Sequence, residues 1–464
     1  MRATLGAMRS GELGFWWHSL GGPAPARAPL RGPAEADVAI VGAGYTGLWS
    51  AYYLKRADPS LRIVVLERER AGFGASGRNG GWVSGFFSGP ARVYDRRGGG
   101  GHAALQRAMF DTVNEVAAVV AEHSIDAELV RGGHLAVALG DAQLQRLAAQ
   151  LRAARTEGLA EEDLRELSAA ELAARIRVAG ASGASFSPHV ARVHPAKLLR
   201  GLAATVEALG VEIYEQTPVS EIAPRRALTP AGEVRARWIV RATEGYTTNL
   251  RGLARALVPM NSSMIVTEPL GEDVWEQIGW SGREVLSDNA HVYVYLQRTA
   301  DGRIAIGGRG VPYRFASRTD GSGTTAAATV ASLRAKLGAM FPAAAGAGVE
   351  HAWSGVLGVP RDWCISVDAD PATGLAWAGG YVGEGVAAAN LAGRTLRDMI
   401  LERDSPLRTL AWVGRRPAAW EPEPLRWAAI RSVYGLYRQA DRDERRSGRP
   451  SRLARLVDAA SGRH

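Results

Sequence analysis

Residues 37–67 constrain the fold of this 464-residue chain more than any other segment. They read DVAIVGAGYTGLWSAYYLKRADPSLRIVVLE. A short apolar run at 37–41 has the pattern of a buried parallel strand, and a helical pattern follows at 48–56. A second apolar run at 62–66 ends at Glu67. This order of strand, helix and strand predicts a βαβ unit of the kind that binds dinucleotides.

The glycines between the first strand and the helix form the pattern G-x-G-x-x-G. Gly42 permits a tight turn, Gly44 lets the backbone approach a pyrophosphate, and Gly47 lets the helix pack close to the strand. The helix N-terminus adds free N–H groups and a partial positive charge. Glu67 lies where a carboxylate can accept hydrogen bonds from a ribose 2′-OH. The segment therefore predicts a bound adenine dinucleotide.

Length and composition limit the remaining possibilities. A chain of 464 residues is too long for one simple core, so two intertwined domains are expected. The sequence contains no run of 18 or more apolar residues, so no membrane span is predicted. The first residues show no secretory signal pattern, which favours a cytoplasmic location. The single cysteine, Cys364, excludes an internal disulfide and a cysteine-cluster metal site, and we predict no metal site.

The net charge of +9 is concentrated near the C-terminus. Residues 424–464 hold ten arginines against four acids and so supply +6 of that charge. The pattern predicts a helix at 425–442 followed by loose arginine-rich residues. We interpret this tail as solvated or docked on the chain itself, and we predict no nucleic-acid partner and no membrane contact.

Further regular elements follow from apolar periodicity. Residues 1–36 read as an extended lead-in laid across the surface. An Asp301-Gly302 turn predicts a hairpin within 292–308. Helices are predicted at 102–123, 141–177, 196–209, 325–340 and 386–401. Strands are predicted at 132–139, 211–222, 234–242, 260–267 and 375–380.

Three more segments accompany the first glycine motif. They are GASGRNGG at 74–81, RWIVRATEGYT at 237–247 and GGYVGEGVAAANLAGRTL at 379–396. Together the four segments resemble the D-amino-acid-oxidase-like family of FAD-dependent oxidoreductases. The nearest resemblance is to the branch that contains γ-glutamylputrescine oxidase and aminophosphonate oxidoreductase-like proteins. The resemblance covers roughly residues 10–405.

The extra glycine-rich segments favour FAD over a nicotinamide cofactor on physical grounds as well. A nicotinamide enzyme needs one βαβ fingerprint, whereas burying a flavin ring requires further close backbone approaches. Gly77, Gly80 and Gly81 allow such an approach. The helix that begins near Gly385 would point its positive end at the N1–C2=O region of the flavin.

The resemblance also implies roles for individual residues. Val219 would meet the adenine, Ser76, Arg78 and Asn79 would line the pyrophosphate and the flavin, and Ala242-Thr243 would lie beside the diphosphate. The Ala-Thr-Gly of the family is replaced here by Ala-Thr-Glu-Gly, which places Glu244 in this position. The predicted cofactor-binding residues are Gly42, Gly44, Tyr45, Thr46, Gly47, Glu67, Arg68, Ser76, Gly77, Arg78, Asn79, Gly80, Gly81, Val219, Ala242, Thr243, Gly380, Gly383, Glu384, Gly385 and Val386.

Two positions bear on how FAD is attached. Some family members bind FAD covalently through a cysteine, and the resemblance aligns that position near Ser354 and not with Cys364. We therefore expect non-covalent FAD and interpret Cys364 as a small buried side chain. The placement of Glu384 at a helix N-terminus is explained by complementarity to the helix dipole.

The substrate candidates lie on strands expected to roof the flavin. They are His291, Tyr293, Tyr295 and Arg298, with Arg309 as a further candidate. Aromatic walls would favour a neutral amine, because desolvation lowers its pKa. Arg309 could hold a carboxylate or phosphonate in a bidentate pair. Because side chains alternate along a strand, about half of these candidates are expected to point outward.

These observations predict an α/β fold: a discontinuous, Rossmann-like FAD-binding domain with an inserted α+β substrate domain roofed by an antiparallel sheet. FAD-domain segments are predicted at 37–100, 186–250 and 350–405. Substrate-domain segments are predicted at 101–185 and 251–349. The lead-in occupies 1–36, and the basic helical tail occupies 406–464.

The function predicted on this basis is oxidation of the C–N bond of a small-molecule amine or amino acid. A hydride would pass to the flavin, the imine would hydrolyse, and O2 would reoxidise the flavin to give H2O2. Two alternatives stay open: a flavin dehydrogenase that passes electrons to a protein or quinone, and a flavin-containing subunit of a larger complex. The pattern leaves the particular amine and the oligomeric state undetermined.

Overall fold

Two large β-sheets, each covered by helices, organise the chain. A computed structural model describes residues 8–11, 13–97, 99–319 and 321–461. Residues 1–7 and 12 of the predicted lead-in, and 462–464 of the predicted tail, lie outside the described residues. No helix in these ranges is both long and apolar enough to cross a membrane.

The first sheet, the parallel sheet, contains the predicted βαβ unit. Its central strand, Ala34–Val41, is buried on both faces, as expected for a parallel strand. In spatial order its parallel strands are Glu212–Tyr214, Ile63–Leu66, Ala34–Val41, Gly232–Arg241 and Leu375–Gly379. Antiparallel strands extend it at Glu221–Ala223, Arg226–Thr229 and Ser366–Asp370.

Helices cover one face of the parallel sheet, and their apolar sides form the largest core of the molecule. Helix Tyr45–Ala57 crosses helix Gly385–Ile400 at Gly393. A Cβ at Gly393 would lie 2.7 Å from the Trp49 carbonyl carbon, so only glycine permits this approach. Further helices of the core are Pro195–Ala208 and Gly101–Glu122.

The second sheet, the roof sheet, contains nine strands among the described residues. The predicted hairpin is confirmed, because Val294–Arg298 pairs antiparallel with Ile304–Gly308 through a turn that includes Gly302. In spatial order the strands are Arg9–Ser10, Val349–Val359, Val258–Thr267, Ile304–Gly308, Val294–Arg298, Val285–Asp288, His134–Leu139, Ala181–Ser187 and Arg165–Ser168. Helices Ala169–Ala173, Glu272–Ile278 and Ala327–Met340 pack on this sheet.

The predicted helix at 141–177 is wrong in its second half. The helix covers Asp141–Thr156 and ends before Gly158, whose φ of +89° is left-handed. Strand Arg165–Ser168 follows. Ser168 and Glu171 then form a capping box that begins a separate short helix.

The described parts of both terminal segments also contain more regular structure than predicted. Phe15–His18 is a helix, and its three aromatic side chains are buried and do not lie across the surface. The C-terminal helix extends over Leu425–Ser447, and the predicted loose residues form a second helix, Arg452–Ser461. The described residues also form the α-helix Ala91–Tyr94 and the two-stranded sheet Trp82–Ser84 with Val190–Arg192. Short 3-10 helices lie at Ala75–Gly77, Asp95–Arg97, Glu244–Asn249, Phe315–Ser317, Pro342–Ala344 and Pro406–Thr409.

Candidate active site

A cavity of about 360 Å³ opens at the carboxyl ends of the parallel strands. Val41, Leu66 and Ala242 line it from the parallel sheet, and Ser262 and Tyr295 line it from the roof sheet. In open α/β sheets, ligands bind beyond the carboxyl ends of the strands. The cavity is therefore the candidate site of the molecule.

The first glycine motif forms one end of this cavity, and its spacing has the predicted steric basis. Gly42 has φ +108°, and a Cβ there would lie 2.7 Å from the Ala242 carbonyl oxygen. A Cβ on Gly47 would lie 1.9 Å from the Gly42 oxygen, so Gly47 serves helix packing and does not line the cavity. Gly44 precedes the helix without a side-chain cap, and the Tyr45 N–H donates to Ser76 Oγ at 2.9 Å.

Glu67 lines the same end, where the strand Ile63–Leu66 stops. Its two carboxylate oxygens accept the backbone N–H groups of Ala43 at 2.8 Å and Glu69 at 2.9 Å. Burial raises the pKa of Glu67 to about 7, although these two hydrogen bonds lower it. Arg68 and Val219 also line this end, so the predicted adenosine-binding residues lie together.

The second glycine segment, residues 74–81, forms the middle of the cavity. Two buried indoles hold it from behind: Trp16 Nε1 donates to the Asn79 carbonyl at 2.8 Å, and Trp353 Nε1 donates to the Arg78 carbonyl at 2.9 Å. Asn79 and Gly80 line the cavity, whereas neither indole does.

Two glycines of this segment serve packing. A Cβ on Gly77 would lie 2.4 Å from Trp17 Nε1, and one on Gly81 would lie 2.0 Å from Gln297 Nε2. Neither glycine lines the cavity, so the prediction that both bind the cofactor directly is not supported by their positions.

The third glycine segment begins the helix Gly385–Ile400, and Gly383, Glu384, Gly385 and Val386 line the cavity. Gly380 does not line it and packs on Pro360 with φ +73°. The Tyr381 hydroxyl lies 3.0 Å from Thr46 Oγ1, which ties this segment to the first helix.

Glu244, to which the sequence assigned no contact, holds the third segment in place. Its carboxylate accepts the N–H groups of Tyr381 at 3.0 Å and Gly380 at 3.3 Å. Burial raises the pKa of Glu244 to about 7, while these hydrogen bonds and the charge of Arg241 lower it. Its left-handed φ of +43° is uncommon for glutamate. The only signal in the sequence is the extra acid in Ala-Thr-Glu-Gly.

Two unpaired donors at the cavity wall fit a large polar ligand. The Tyr246 hydroxyl and Trp82 Nε1 are buried, line the cavity, and have no hydrogen-bond partner among the described residues. Buried polar groups are normally paired, so a ligand is the expected partner. The glycine turn, Glu67 and these donors together could hold the diphosphate, ribose and ring of a flavin dinucleotide.

The opposite end of the cavity has a different chemistry. Tyr293, Tyr295 and Arg309 line it, as the roof strands predicted, together with Trp82 and Ser262. Tyr295 shares a hydrogen bond of 2.9 Å with Ser262 Oγ, and burial raises its pKa to about 12, so the phenol stays protonated. Arg309 Nη1 is buried and has no partner among the described residues.

Two of the substrate candidates lie outside this cavity. His291 precedes the strand, and its imidazole lies 2.9 Å from Glu444 and stacks on Tyr437 of the C-terminal helix. Arg298 lies above the ring of Trp275 at 3.9 Å. Arg298 and Tyr295 lie in the same strand and are separated by an odd number of positions. Because side chains alternate between the two faces of a strand, Arg298 points away from the face that carries Tyr295.

The two positions considered for covalent attachment do not line the cavity. Cys364 is fully buried, and burial raises the pKa of its thiol to about 12. Ser354 is buried, with its Oγ 2.9 Å from the hydroxyls of Ser263 and Thr325.

Comparisons with known proteins agree with this geometry. The chain is 29% identical to gamma-glutamylputrescine oxidoreductase of Escherichia coli over 382 residues, which cover 80% of this chain and 85% of that protein. It is 30% identical to a probable oxidoreductase OrdL of Rhizobium meliloti over 419 residues, which cover 86% of this chain and 90% of that protein. Both matches confirm the branch that the sequence indicated.

The fold is shared with a solved structure of glycine oxidase from Geobacillus kaustophilus, with a TM-score of 0.70 and 20% identity. That similarity covers 83% of this chain and all of the other. The family model described as FAD dependent oxidoreductase matches residues 37–399. The chain therefore belongs to this family of flavoenzymes, whose cofactor is FAD.

Proposed function

We propose that this flavoenzyme oxidises the C–N bond of an amine or amino acid to an imine, and that O2 reoxidises the flavin to give H2O2. One observation carries the proposal. A single cavity joins the glycine motif and Glu67 at one end to Tyr293, Tyr295 and Arg309 at the other. A dinucleotide seated at the first end would bring its ring to the second.

FAD is proposed to be held without a covalent bond. The first glycine turn and Glu67 would hold its adenosine and diphosphate, and residues 74–81 would lie along the ring. When bound, FAD supplies hydride-accepting chemistry that side chains lack. Support for non-covalent binding comes from Cys364, which is buried away from the cavity lining.

The roof residues are proposed to prepare the amine. Tyr293, Tyr295 and Trp82 form an aromatic wall that excludes water and favours an unprotonated nitrogen, because desolvation disfavours the charged form. Orientation of the C–H bond follows from contacts at both ends of the substrate. The relatives named gamma-glutamylputrescine oxidoreductase and glycine oxidase support a nitrogen-containing substrate.

A screen of amines, amino acids and aminoalkylphosphonates tests the proposal. We expect at least one compound to bleach the flavin without air and to release peroxide when air is admitted. Acid precipitation should leave the yellow cofactor in the supernatant. Bleaching followed by slow reoxidation in air would favour a dehydrogenase instead. A flavin that no compound bleaches would contradict the proposed chemistry.

A further inference from the structure

The C-terminal segment 425–461 turns most of its acids inward and most of its arginines outward. Asp441 and Glu444 are buried against His291, and the Tyr437 hydroxyl donates to Asp458 at 2.6 Å. One acid of the segment, Asp443, is exposed. Eight arginines are exposed: Arg431, Arg438, Arg442, Arg445, Arg446, Arg449, Arg452 and Arg455. The outer surface of the segment is therefore more positive than its total charge indicates.

Four of these arginines form one stripe along the helix Leu425–Ser447. They are Arg431, Arg438, Arg442 and Arg445, whose spacing of three, four or seven positions places them on one face. None of the eight arginines forms an ion pair with an acid among the described residues. Like charges three or four positions apart destabilise a helix. A partner that carries negative charge would relieve this repulsion.

Exposed apolar side chains accompany the positive surface. Six large apolar side chains are exposed among the described residues, and five of them lie within 425–461 or within 311–315. Leu425 is 63% exposed, and Leu456 is 70% exposed. Phe315 belongs to the same surface, because its ring meets that of Trp427 edge-on at 6.2 Å. Exposed apolar residues that gather on one part of a protein mark an interaction site.

The two features together match a lipid surface. No residue of 425–461 lines the candidate active site, so these arginines do not belong to it. A bilayer with anionic lipids offers negative headgroups over a wide area and apolar chains just below them. Arginines bind such headgroups, and leucine and aromatic side chains enter the boundary beneath. An acidic protein would match the charge, whereas a bilayer matches the charge and the leucines without a complementary shape.

We propose that residues 311–315 and 425–461 dock the protein on the surface of a membrane that contains anionic phospholipids. The proposal revises the prediction of no membrane contact, because it rests on the arrangement of the charges in the folded chain and not on their total. Arg309 and Thr319 line the cavity and flank the segment that carries Phe315. A docked molecule would therefore hold its active site near the lipid.

Co-sedimentation of the purified holoenzyme with vesicles tests the proposal. We expect binding to phosphatidylcholine vesicles with about 30% phosphatidylglycerol to be at least about 10-fold tighter than binding to pure phosphatidylcholine. Raising NaCl from about 0.1 M to about 0.5 M should weaken it by about 10-fold or more, because salt screens exposed charges. Equal binding to both kinds of vesicle, or binding to neither, would overturn the proposal.

Two double variants locate the contact. Arg442→Gln with Arg446→Gln should weaken binding to the anionic vesicles by about 10-fold or more. The matched control, Arg152→Gln with Arg334→Gln, removes the same charge from exposed positions on two other helices and should bind like the unaltered protein. Flavin absorbance checks that each variant is folded. Equal weakening in both would show that net charge, and not this surface, attracts the lipid.

An exposed leucine separates a bilayer from other polyanions. Leu456→Gln should weaken vesicle binding by about 3-fold or more and leave binding to soluble polyglutamate unchanged. Vesicle binding that Leu456→Gln does not alter would show that the leucine stays outside the lipid. Tighter binding to polyglutamate than to vesicles would assign the surface to an acidic protein and overturn the proposal. None of these measurements needs turnover, so their outcome is independent of the proposed oxidation.

Discussion

Burial raises the pKa of three of the glutamates that line the cavity: Glu67, Glu244 and Glu384. Glu244 is the clearest case for a test, since its carboxylate joins two segments of the cavity wall and does not belong to the glycine motifs.

The substitution Glu244→Gln should flatten the pH dependence of stability. The pKa of Glu244 is about 7 in the folded chain against its usual 4.5, so the folded chain holds this proton more tightly than the unfolded chain. The resulting stabilisation is complete below about pH 4.5 and is lost as the pH rises through about 7. The melting temperature of the unaltered protein should therefore fall more steeply between about pH 5 and 8 than that of Glu244→Gln.

Thermal unfolding of the holoenzyme at several pH values measures this effect. Glu67 titrates in the same range, but it is present in both proteins and cancels in the comparison. Glu272→Gln, at an exposed position, should follow the unaltered protein. Parallel curves for Glu244→Gln and the unaltered protein would show that Glu244 does not take up this proton.

The positions of some residues at the cavity could be predicted from the sequence, and those of others could not. Gly42 and Gly47 could be predicted because a local backbone conformation and a local contact demand glycine. Glu244 could not, because its partners Gly380 and Tyr381 are more than 130 positions away in the chain. His291 lies outside the cavity beside Glu444 of the C-terminal helix, a tertiary contact that the sequence does not reveal.

At the scale of elements, the crossing of Tyr45–Ala57 and Gly385–Ile400 positions two cavity walls at once. Both helices begin at the cavity, with Tyr45 on one and Gly385 on the other. Gly393 sets their separation, because a Cβ there would meet the backbone of Trp49 and Ser50 at 2.7–2.9 Å. Backbone atoms cannot rotate away as a side chain can.

Gly393→Ala should destabilise the protein by about 1–3 kcal/mol, since overpacking outweighs the better helix propensity of alanine. Gly435→Ala is the matched control, because Gly435 lies in the helix Leu425–Ser447 with open space around its Cβ position. It should stabilise by about 0.5–1 kcal/mol. Chemical denaturation measures both values. A Gly393→Ala protein as stable as Gly435→Ala would mean that the crossing can widen freely.

The elements themselves were largely predictable from periodicity, and the exceptions have local causes. The apolar periodicity of residues 141–177 fits a helix along the whole segment. The signals for an interruption are Gly158 and the Ser168–Glu171 capping box. Strand Arg165–Ser168 exists because it pairs with Ala181–Ser187. A four-residue strand of mixed polarity carries too little signal of its own.

At the scale of the whole molecule, the C-terminal helix Leu425–Ser447 binds the substrate side of the fold. Asp441 accepts the N–H groups of His291 at 2.9 Å and Val292 at 3.0 Å, and Glu444 pairs with Arg146. These contacts precede Tyr293 and Tyr295 in the chain by only a few residues. The basic tail of the sequence is thus a docked element, which agrees with one of the two interpretations of its charge.

Glu444→Gln should loosen this docking. The substitution leaves Arg146, whose side chain is 17% exposed, without its counter-charge. This should lower the free energy of unfolding by about 1–3 kcal/mol. Hydrogen exchange of residues 289–295 and 425–447 should accelerate together, and tryptic cleavage in the tail should be faster. Asp443→Asn, an exposed acid on the same helix, should leave both measurements unchanged. Unaltered exchange at 289–295 would show that the helix does not support the roof strand.

The sequence could not predict where the two terminal segments pack. Charge and apolar content indicate that a segment can pack on the fold, but they do not identify the residues that it contacts. Phe15, Trp16 and Trp17 belong to the lead-in that was predicted to lie on the surface, yet they are buried against His194, Trp353 and the loop at 74–81. The tail likewise meets residues near 146 and 291.

The two indoles behind the loop at 74–81 have a consequence for the polarity of the cavity. In a trans peptide the carbonyl and the N–H point in opposite directions, so an indole that draws a carbonyl to one side turns the next amide hydrogen to the other. Trp16 and Trp353 act in this way on consecutive peptide units, 78–79 and 79–80. The N–H groups of Asn79 and Gly80 are thereby turned away from the two indoles, so a ring bound beside these two cavity-lining residues would meet hydrogen-bond donors.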